Sequence, residues 1–422
     1  MPGLRRLVAA LLAGLLATAP AARAQFRNVG PGVADRSGTT TRGGGDDWIF
    51  GGEVQTTVEA DYNGRQGSTA ATGNLFTQSL LAAYLLAPAG FVVNGVFRLE
   101  QPQDRIPAGT GSVFRDQAAW IDELNLQWST RSLDLFGGKI HPRFGSAWDR
   151  GPGLYGTDFG REYELSEKLG VGARLWLSDL GNLGRIIGTH NLQVEFIRAD
   201  RSPLSYSAFT PRWAQQTTAI DPTTGEVVTP ATRYRWRNGL FSGQPDNTAF
   251  AGGAVASLAG FGIPMPRGQA GYTLSYSQRL PGLDAVQAGV PATERAYTAG
   301  AFWTLPLPQR VTAAPFAEYA RQYGNAGGFA GNVSDWLTAG LDLRRAPWTF
   351  SYAFLQNGNL NAQEPQRATR VQQTASVTYD LYFLAPLPIL RPLALTLGWR
   401  ALREGGTTQQ GFGGLLAWSW KF

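Results

Sequence analysis

From residue 48 onward the chain divides into sixteen strand-length stretches whose connections alternate short, long, short, long. Each stretch keeps one apolar and one polar face. That combination predicts an all-β fold: a closed antiparallel transmembrane β-barrel, with short periplasmic turns on one side and long extracellular loops on the other. It points to a pore or transporter rather than a soluble enzyme.

The spacing predicts strands over 48–62, 75–86, 90–101, 117–129, 132–140, 163–178, 189–199, 248–258, 269–280, 295–305, 310–321, 334–344, 347–356, 369–383, 392–402 and 411–422. One hairpin more or fewer would give 18 or 14. In the first strand Trp48, Phe50, Gly52, Val54, Thr56, Val58, Ala60 and Tyr62 take one face, and Glu53, Gln55, Thr57, Glu59 and Asp61 the other. This is period-two alternation with aromatics at both ends, as a lipid-facing band with girdles needs. Phe91, Val93, Phe97 and Leu99 likewise oppose Asn94, Arg98 and Glu100, and Leu192, Val194 and Phe196 oppose Asn191, Gln193 and Glu195. One strand of this kind also suits a soluble sheet; the repetition is what carries the argument.

The tight connections include 86–90, 129–131, 306–309 and 345–347, with 179–188, 259–268 and 384–391 as looser members. The long set is 63–74, 102–116, 141–162, 200–247, 281–294, 322–333, 357–368 and 403–410. An even strand number with both ends on one side produces this parity. In the last strand Phe412, Leu416, Trp418, Trp420 and Phe422 share a face. Pairing of that strand with the first would remove the open edges that lipid does not tolerate. Asp122 breaks the pattern, falling in phase with Trp120, Leu124 and Leu126 on the lipid side; a bulge or a register error would explain it.

The segment before the barrel reads as an export signal. Arg5 and Arg6 precede an apolar run over 7–18, and Ala22-Arg23-Ala24 places small residues where a signal peptidase reads, so cleavage is expected before Gln25. The run is too short to span a bilayer comfortably. Residues 25–47, rich in Gly and Thr, read as a flexible periplasmic lead, and 48–422 as a single outer-membrane barrel. Cleavage removes three arginines and lowers the net charge from +6 to +3, which gives no reason to expect a nucleic-acid partner. With no Cys the fold relies on hydrogen bonds and packing. Thirteen Trp and fourteen Tyr suit two membrane–water interfaces.

Gly138-Lys139-Ile140-His141-Pro142-Arg143-Phe144-Gly145 resembles a stretch of the phosphate-selective porin-like (O/P type) family of proteobacterial outer-membrane porins, carried here by Gly138, Lys139, Pro142, Phe144 and Gly145. In those relatives it ends a barrel strand and enters a loop. The resemblance implies a 16-stranded diffusion channel in the outer membrane of a Gram-negative bacterium, assembled as a homotrimer. The C-terminal Phe422 is similar to the signal read by the barrel assembly machinery. Phosphate-selective members use many pore lysines, whereas this chain has Lys139, Lys168 and Lys421 alone.

In such a channel the chemistry is the charge and width of the narrowest ring. The resemblance implies that loop 141–162 folds inward, bringing Asp149, Asp158 and Glu162 to a constriction. Arg98, Arg174, Arg279, Arg344 and Arg400 fall on polar strand faces, as do Glu53, Glu59, Glu100, Glu123, Glu195, Glu318 and Asp342. These are the expected pore-lining residues, either as an arginine wall facing an acidic loop or simply as solvated lumen charges. Loop 200–247 carries Trp213, Tyr234 and Trp236 around the turn sequence Asp221–Gly225 and reads as a surface loop, with an outer hairpin, a cap, a subunit brace or a sugar-stacking site as alternatives.

A barrel enzyme would need a catalytic His, and the candidates are His141 beside a turn and His190 at a strand start, both ordinary places for a polar residue. No cofactor and no metal site is expected. The lead is too short for an internal plug. The expected function is passive diffusion of small hydrophilic solutes or ions, with lipid as surroundings. The alternatives are a channel specific for sugar, phosphate or a metal chelate, and an outer-membrane enzyme.

Overall fold

The computed structural model describes residues 48–64, 71–100, 111–114, 118–166, 168–180, 184–200, 252–280, 293–324, 331–360, 367–384 and 390–422, with a few isolated positions between them. The expected signal and lead therefore lie outside the described residues. Sixteen strands build the wall: β1 Ile49–Asn63, β2 Thr72–Leu86, β3 Phe91–Glu100, β4 Ala118–Ser129, β5 Leu133–Ile140, β6 Lys168–Trp176, β7 Thr189–Ala199 and β8 Gly253–Pro264, followed by β9 Gln269–Arg279, β10 Glu294–Leu307, β11 Val311–Tyr323, β12 Val333–Arg345, β13 Trp348–Leu360, β14 Arg367–Asp380, β15 Leu393–Glu404 and β16 Thr407–Lys421. Each pairs antiparallel with its sequence neighbours. A three-residue strand, Gly111–Val113, adds a parallel contact to β2.

The barrel closes between its first and last strands. Val54 lies opposite Trp420 and Tyr62 opposite Phe412. The backbone N–H groups of Gly52 and Phe422 each donate to the other's carbonyl at 3.0 Å. Closure satisfies the backbone groups that an open edge would present to hydrocarbon.

Alternation sets which side chains go where. On β7, Leu192, Val194 and Phe196 are exposed, whereas Asn191, Gln193 and Glu195 are buried. The outward row of the seam strand behaves likewise, with Phe412, Leu416 and Trp420 exposed. At the turn end Trp48, Phe50, Trp128, Trp348, Phe350, Trp420 and Phe422 form an exposed aromatic set, and at the loop end Tyr62, Tyr276, Tyr297, Tyr319, Tyr323 and Phe412 form another. Rings with a wet polar tip belong at those two levels.

Several expectations fail, among them the strand over 163–178, which is only Lys168–Trp176, so that Tyr163 and Leu165 belong to the lumenal segment. The expected long loop 403–410 is a two-residue turn, because Glu404 and Thr407 pair directly and Gly405 and Gly406 both take positive φ, 55° and 80°. Gly-Gly between alternating strands is a hairpin signal of its own. β8 begins at Gly253 and runs on to Pro264, past the expected end at 258, because Gly260–Ile263 is a register irregularity inside the strand rather than a turn. Asp122 does not face lipid. The β3–β4 register skips it, with Val96 opposite Glu123 and Phe97 opposite Ile121. The bulge reverses the phase, so Trp120 and Asp122 are buried while Leu124 and Leu126 remain exposed.

Candidate functional site

The lumen is crossed by the segment that follows β5. It contains a single helical turn, Ala147–Arg150, and a 3₁₀ turn, Gly160–Glu162. Its apolar side chains Phe144, Ala147, Phe159, Tyr163 and Leu165 join one buried cluster with Ile197, Val255, Ala296, Phe316, Trp336 and Leu355, which come from six different strands. Only a segment inside the barrel can touch so many strands at once.

Its two ends, around Ser146 and Tyr163, are held together by Glu318 on β11. That carboxylate accepts from the Ser146 N–H at 2.7 Å, the Ser146 hydroxyl at 2.6 Å, the Ala147 N–H at 2.9 Å and the Tyr163 hydroxyl at 2.7 Å. Four donors around one buried carboxylate replace its water shell. Burial, with Glu318 next, pushes the Tyr163 hydroxyl well above its ordinary pKa. Nearby, the Arg143 N–H donates to Glu195 at 3.0 Å, and the Arg143 guanidinium donates to Asn191 at 2.9 Å. The Arg150 guanidinium lies 4.0 Å over the Phe302 ring.

The stretch between them reaches the wall beside the seam. Tyr155 donates to Asp61 of β1 at 2.6 Å, and burial together with Asp61 raises the tyrosine's pKa. Asp158 accepts from Arg400 at 3.1 Å and from Gln372 at 2.8 Å. Glu162 pairs with Arg370 at 2.6 Å and accepts from the Trp336 indole at 2.9 Å. These ion pairs remain partly open to water, with side-chain exposures of 24–31%.

At the loop's root His141 sits in an acidic nest. Its Nε2 is 3.3 Å from Asp122 and its Nδ1 3.9 Å from Glu164, while its N–H donates to Glu123 at 3.2 Å. Burial lowers the imidazole pKa, but Asp122, Glu123 and Glu164 outweigh it and raise it to about 9. Asp122 is shared with Arg98, which donates from Nε at 3.0 Å and from its terminal nitrogen at 2.7 Å.

The expected residues therefore separate. Among the arginines expected to face an acidic loop, Arg400 does so. Arg98 instead pairs with Asp122, Arg174 with Asp134 at 3.5 Å, Arg279 with Glu294, and Arg344 with Asp342 at 2.8 Å. These partners are wall carboxylates, so each charge is matched within the strand surface rather than across the lumen. Glu195, Glu318 and Glu123 are on the inner wall, but the loop covers them and they act as its anchors. Glu53 accepts from Gln55 and Ser419, each at 2.7 Å, and braces the seam. The Glu100 side chain lies outside the described residues. Asp149 is in the loop's helical turn.

The motif residues are structural. Gly138 and Gly145 have φ of 134° and 73°, and a Cβ on Gly138 would approach the Leu124 carbonyl to 2.4 Å. Lys139 is fully buried against Asp200 at 3.2 Å. Phe144 enters the core cluster. The sequence reading missed Arg370, Tyr155 and Arg143 as lumenal partners. A signal existed for Arg370, which shares the polar phase of Gln372 and Thr374 on its strand. Of loop 200–247, the described pieces are chiefly Ala219–Ile220 and Val227–Val228, which pair antiparallel about the expected turn.

No family model matches the sequence, and no curated protein is similar to it in sequence. Solved structures are similar in fold. The chain is 11% identical to Pseudomonas putida OprB, with a TM-score of 0.56 over 89% of this chain and 94% of that one. It is 13% identical to the outer membrane channel DcaP of Acinetobacter baumannii, with a TM-score of 0.52 over 89% of this chain and 97% of that one. With its closed wall, its two aromatic girdles and its lumenal loop, the chain has the 16-stranded fold of bacterial outer-membrane channels.

Proposed function

We propose that the protein is an outer-membrane porin that lets small hydrophilic solutes and ions diffuse passively, with segment 141–162 setting the narrowest cross-section. The observation that carries this reading is the anchoring of that segment on both walls, at Glu318 on one side and at Asp61, Arg370 and Arg400 on the other. An immobilised loop inside a closed barrel fixes a width and a charge pattern. The remaining passage runs past Asp158, Glu162, Arg370 and Arg400, whose mixed signs favour no single ion strongly.

In this reading the signal is cleaved before Gln25, the turns face the periplasm, Phe422 is read during barrel assembly and the channel is a homotrimer. The reading includes no catalytic role. His190 is engaged locally, with Nδ1 3.0 Å from the Tyr272 hydroxyl and Nε2 2.8 Å from the Ile187 carbonyl, and His141 is enclosed by carboxylates. Planar-bilayer recording of the purified folded protein tests the proposal. Stable open channels that pass both ions of a simple salt are expected. Folded protein that inserts but conducts nothing at any voltage would sink it.

A further inference from the structure

The outward face of β9–β12 carries, near its loop end, polar side chains that no lumenal contact uses. Tyr276, Tyr297, Arg321 and Asp335 are successive register partners across the four strands. The row beyond holds Gln278, Arg295 and Tyr323. Their strand neighbours Ala296, Thr298, Ala320, Gln322 and Trp336 are buried inside, which fixes this set as outward.

The row is organised. Tyr319 donates to Asp335 at 2.7 Å, and Arg321 Nε lies 3.5 Å from the same oxygen. The guanidinium sits 5.1 Å over the Tyr323 ring. The Tyr297 and Tyr323 hydroxyls are 2.8 Å apart, and Tyr276 donates to Gln278 at 3.1 Å. Arg321 is thus held with one edge toward Asp335 and its plane on an aromatic ring, beside the exposed Arg295. Toward the bilayer centre the next outward row is Leu274, Ala299, Tyr319 and Leu337, and the row below it Tyr272, Ala301, Ala317 and Ala339.

A charge on the lipid face costs about 2–4 kcal/mol at mid-depth and little at the interface. Two arginines at the loop end belong at headgroup level, where, among the described residues, two cations meet one carboxylate and a cluster of phenol hydroxyls. An excess cation with fixed donors complements a phosphate, and the mostly apolar outward rows below it suit acyl chains. A second copy of the chain would have to bring another acid to Arg295, since Asp335 is already directed at Arg321. We propose that this face binds the phosphorylated headgroup of an outer-leaflet lipid, with Arg295 and Arg321 as the phosphate ligands. The proposal rests on which end of the barrel faces outward, not on what passes through it.

The test is native mass spectrometry of the detergent-extracted protein with a diphosphorylated glucosamine lipid, its dephosphorylated form and phosphatidylethanolamine. The wild type is expected to retain the diphosphorylated lipid preferentially. The double variant R295Q/R321Q should bind it about tenfold more weakly while keeping wild-type conductance and the heat-modifiable gel migration of a folded barrel. Equal retention of the phosphorylated and dephosphorylated forms would overturn the assignment, and so would equal retention by wild type and variant. High-yield disulfide linkage between protomers through Tyr297→Cys would also overturn it, because the face would then lie between copies of the chain.

Discussion

The two halves of the lumenal segment are attached to the wall by different physics. The half around Ser146 and Tyr163 is fixed by one dehydrated carboxylate, Glu318, surrounded by four neutral donors and a hydrophobic cluster. The half around Asp158 and Glu162 is fixed by ion pairs to Arg400 and Arg370 that remain partly wet. A buried carboxylate with all its acceptor sites filled is strong because removing it strands donors out of reach of water. A half-exposed ion pair is worth little in stability, because solvent and salt screen it. The first arrangement suits an anchor that must not move. The second keeps charge where a passing solute can feel it.

That contrast breaks most visibly at Glu318. Glu318→Ala strands the Ser146, Ala147 and Tyr163 donors and should cost about 3–5 kcal/mol. The expected readouts are a lower melting temperature and a higher, noisier single-channel conductance as the segment leaves the wall. Glu318→Gln keeps an acceptor and should lie between the two. An unchanged conductance in Glu318→Ala would mean that the segment does not limit the passage.

The wet side should respond in the opposite sense. Arg370→Ala with Arg400→Ala should cost less than about 1 kcal/mol per pair and leave the conductance near wild type. Removing two cations while Asp158, Glu162 and Asp61 remain should shift the reversal potential in a salt gradient toward cation selectivity. High salt should shrink the difference. A large loss of stability with no change in selectivity would reverse the assignment of the two halves.

A third measurement probes the root of the segment, where His141 meets Asp122, Glu123 and Glu164, with Arg98 on the far side of Asp122. The imidazole's folded pKa, about 9, lies above its ordinary 6.5. A raised pKa contributes stability that is complete below about pH 6.5 and is lost as pH rises through about 9. Thermal stability should therefore fall between neutral pH and pH 10, by no more than about 3 kcal/mol, with gating noise increasing in step. His141→Gln should flatten that dependence. A pH profile identical in wild type and variant would show that His141 does not stabilise the root of the segment.

How much of this was legible in the sequence follows from the range of each interaction. Period-two alternation is local, so the wall, its parity and the lipid-facing rows of β3 and β7 could be read directly. Register is not local. Asp122 stands out in the sequence as an acid in the apolar phase of Leu124 and Leu126, which signals a bulge or a register error without telling the two apart; the structure has the bulge. The Gly405-Gly406 turn is legible, yet the polar Thr407–Gln410 run reads as part of a long connection although it is strand. The anchoring role of Glu318 was not readable, since its donors lie more than 150 positions earlier in the chain. A carboxylate on a polar face looks the same in sequence whether water or a folded loop covers it.

The same distinction gives the smallest expected effect on conduction, at the arginines that sequence phase placed in the lumen but geometry returns to the wall. Arg174 donates from Nε to Gln193 at 2.6 Å and lies 3.5 Å from Asp134, with 5% of its side chain exposed. Asp134 also accepts from the Trp176 indole at 2.9 Å. The guanidinium is therefore neutralised inside a packed network at the turn end of β5, β6 and β7. Its field in the lumen is that of a matched pair, which decays faster than that of a lone charge. Arg174→Gln should lower thermal stability, because Asp134 loses its cation, while leaving the reversal potential at the wild-type value. A shift as large as that of the Arg370 and Arg400 variant would show that permeating ions sense Arg174 directly, and would move the selective ring from the wet half of the segment to the turn end of the barrel.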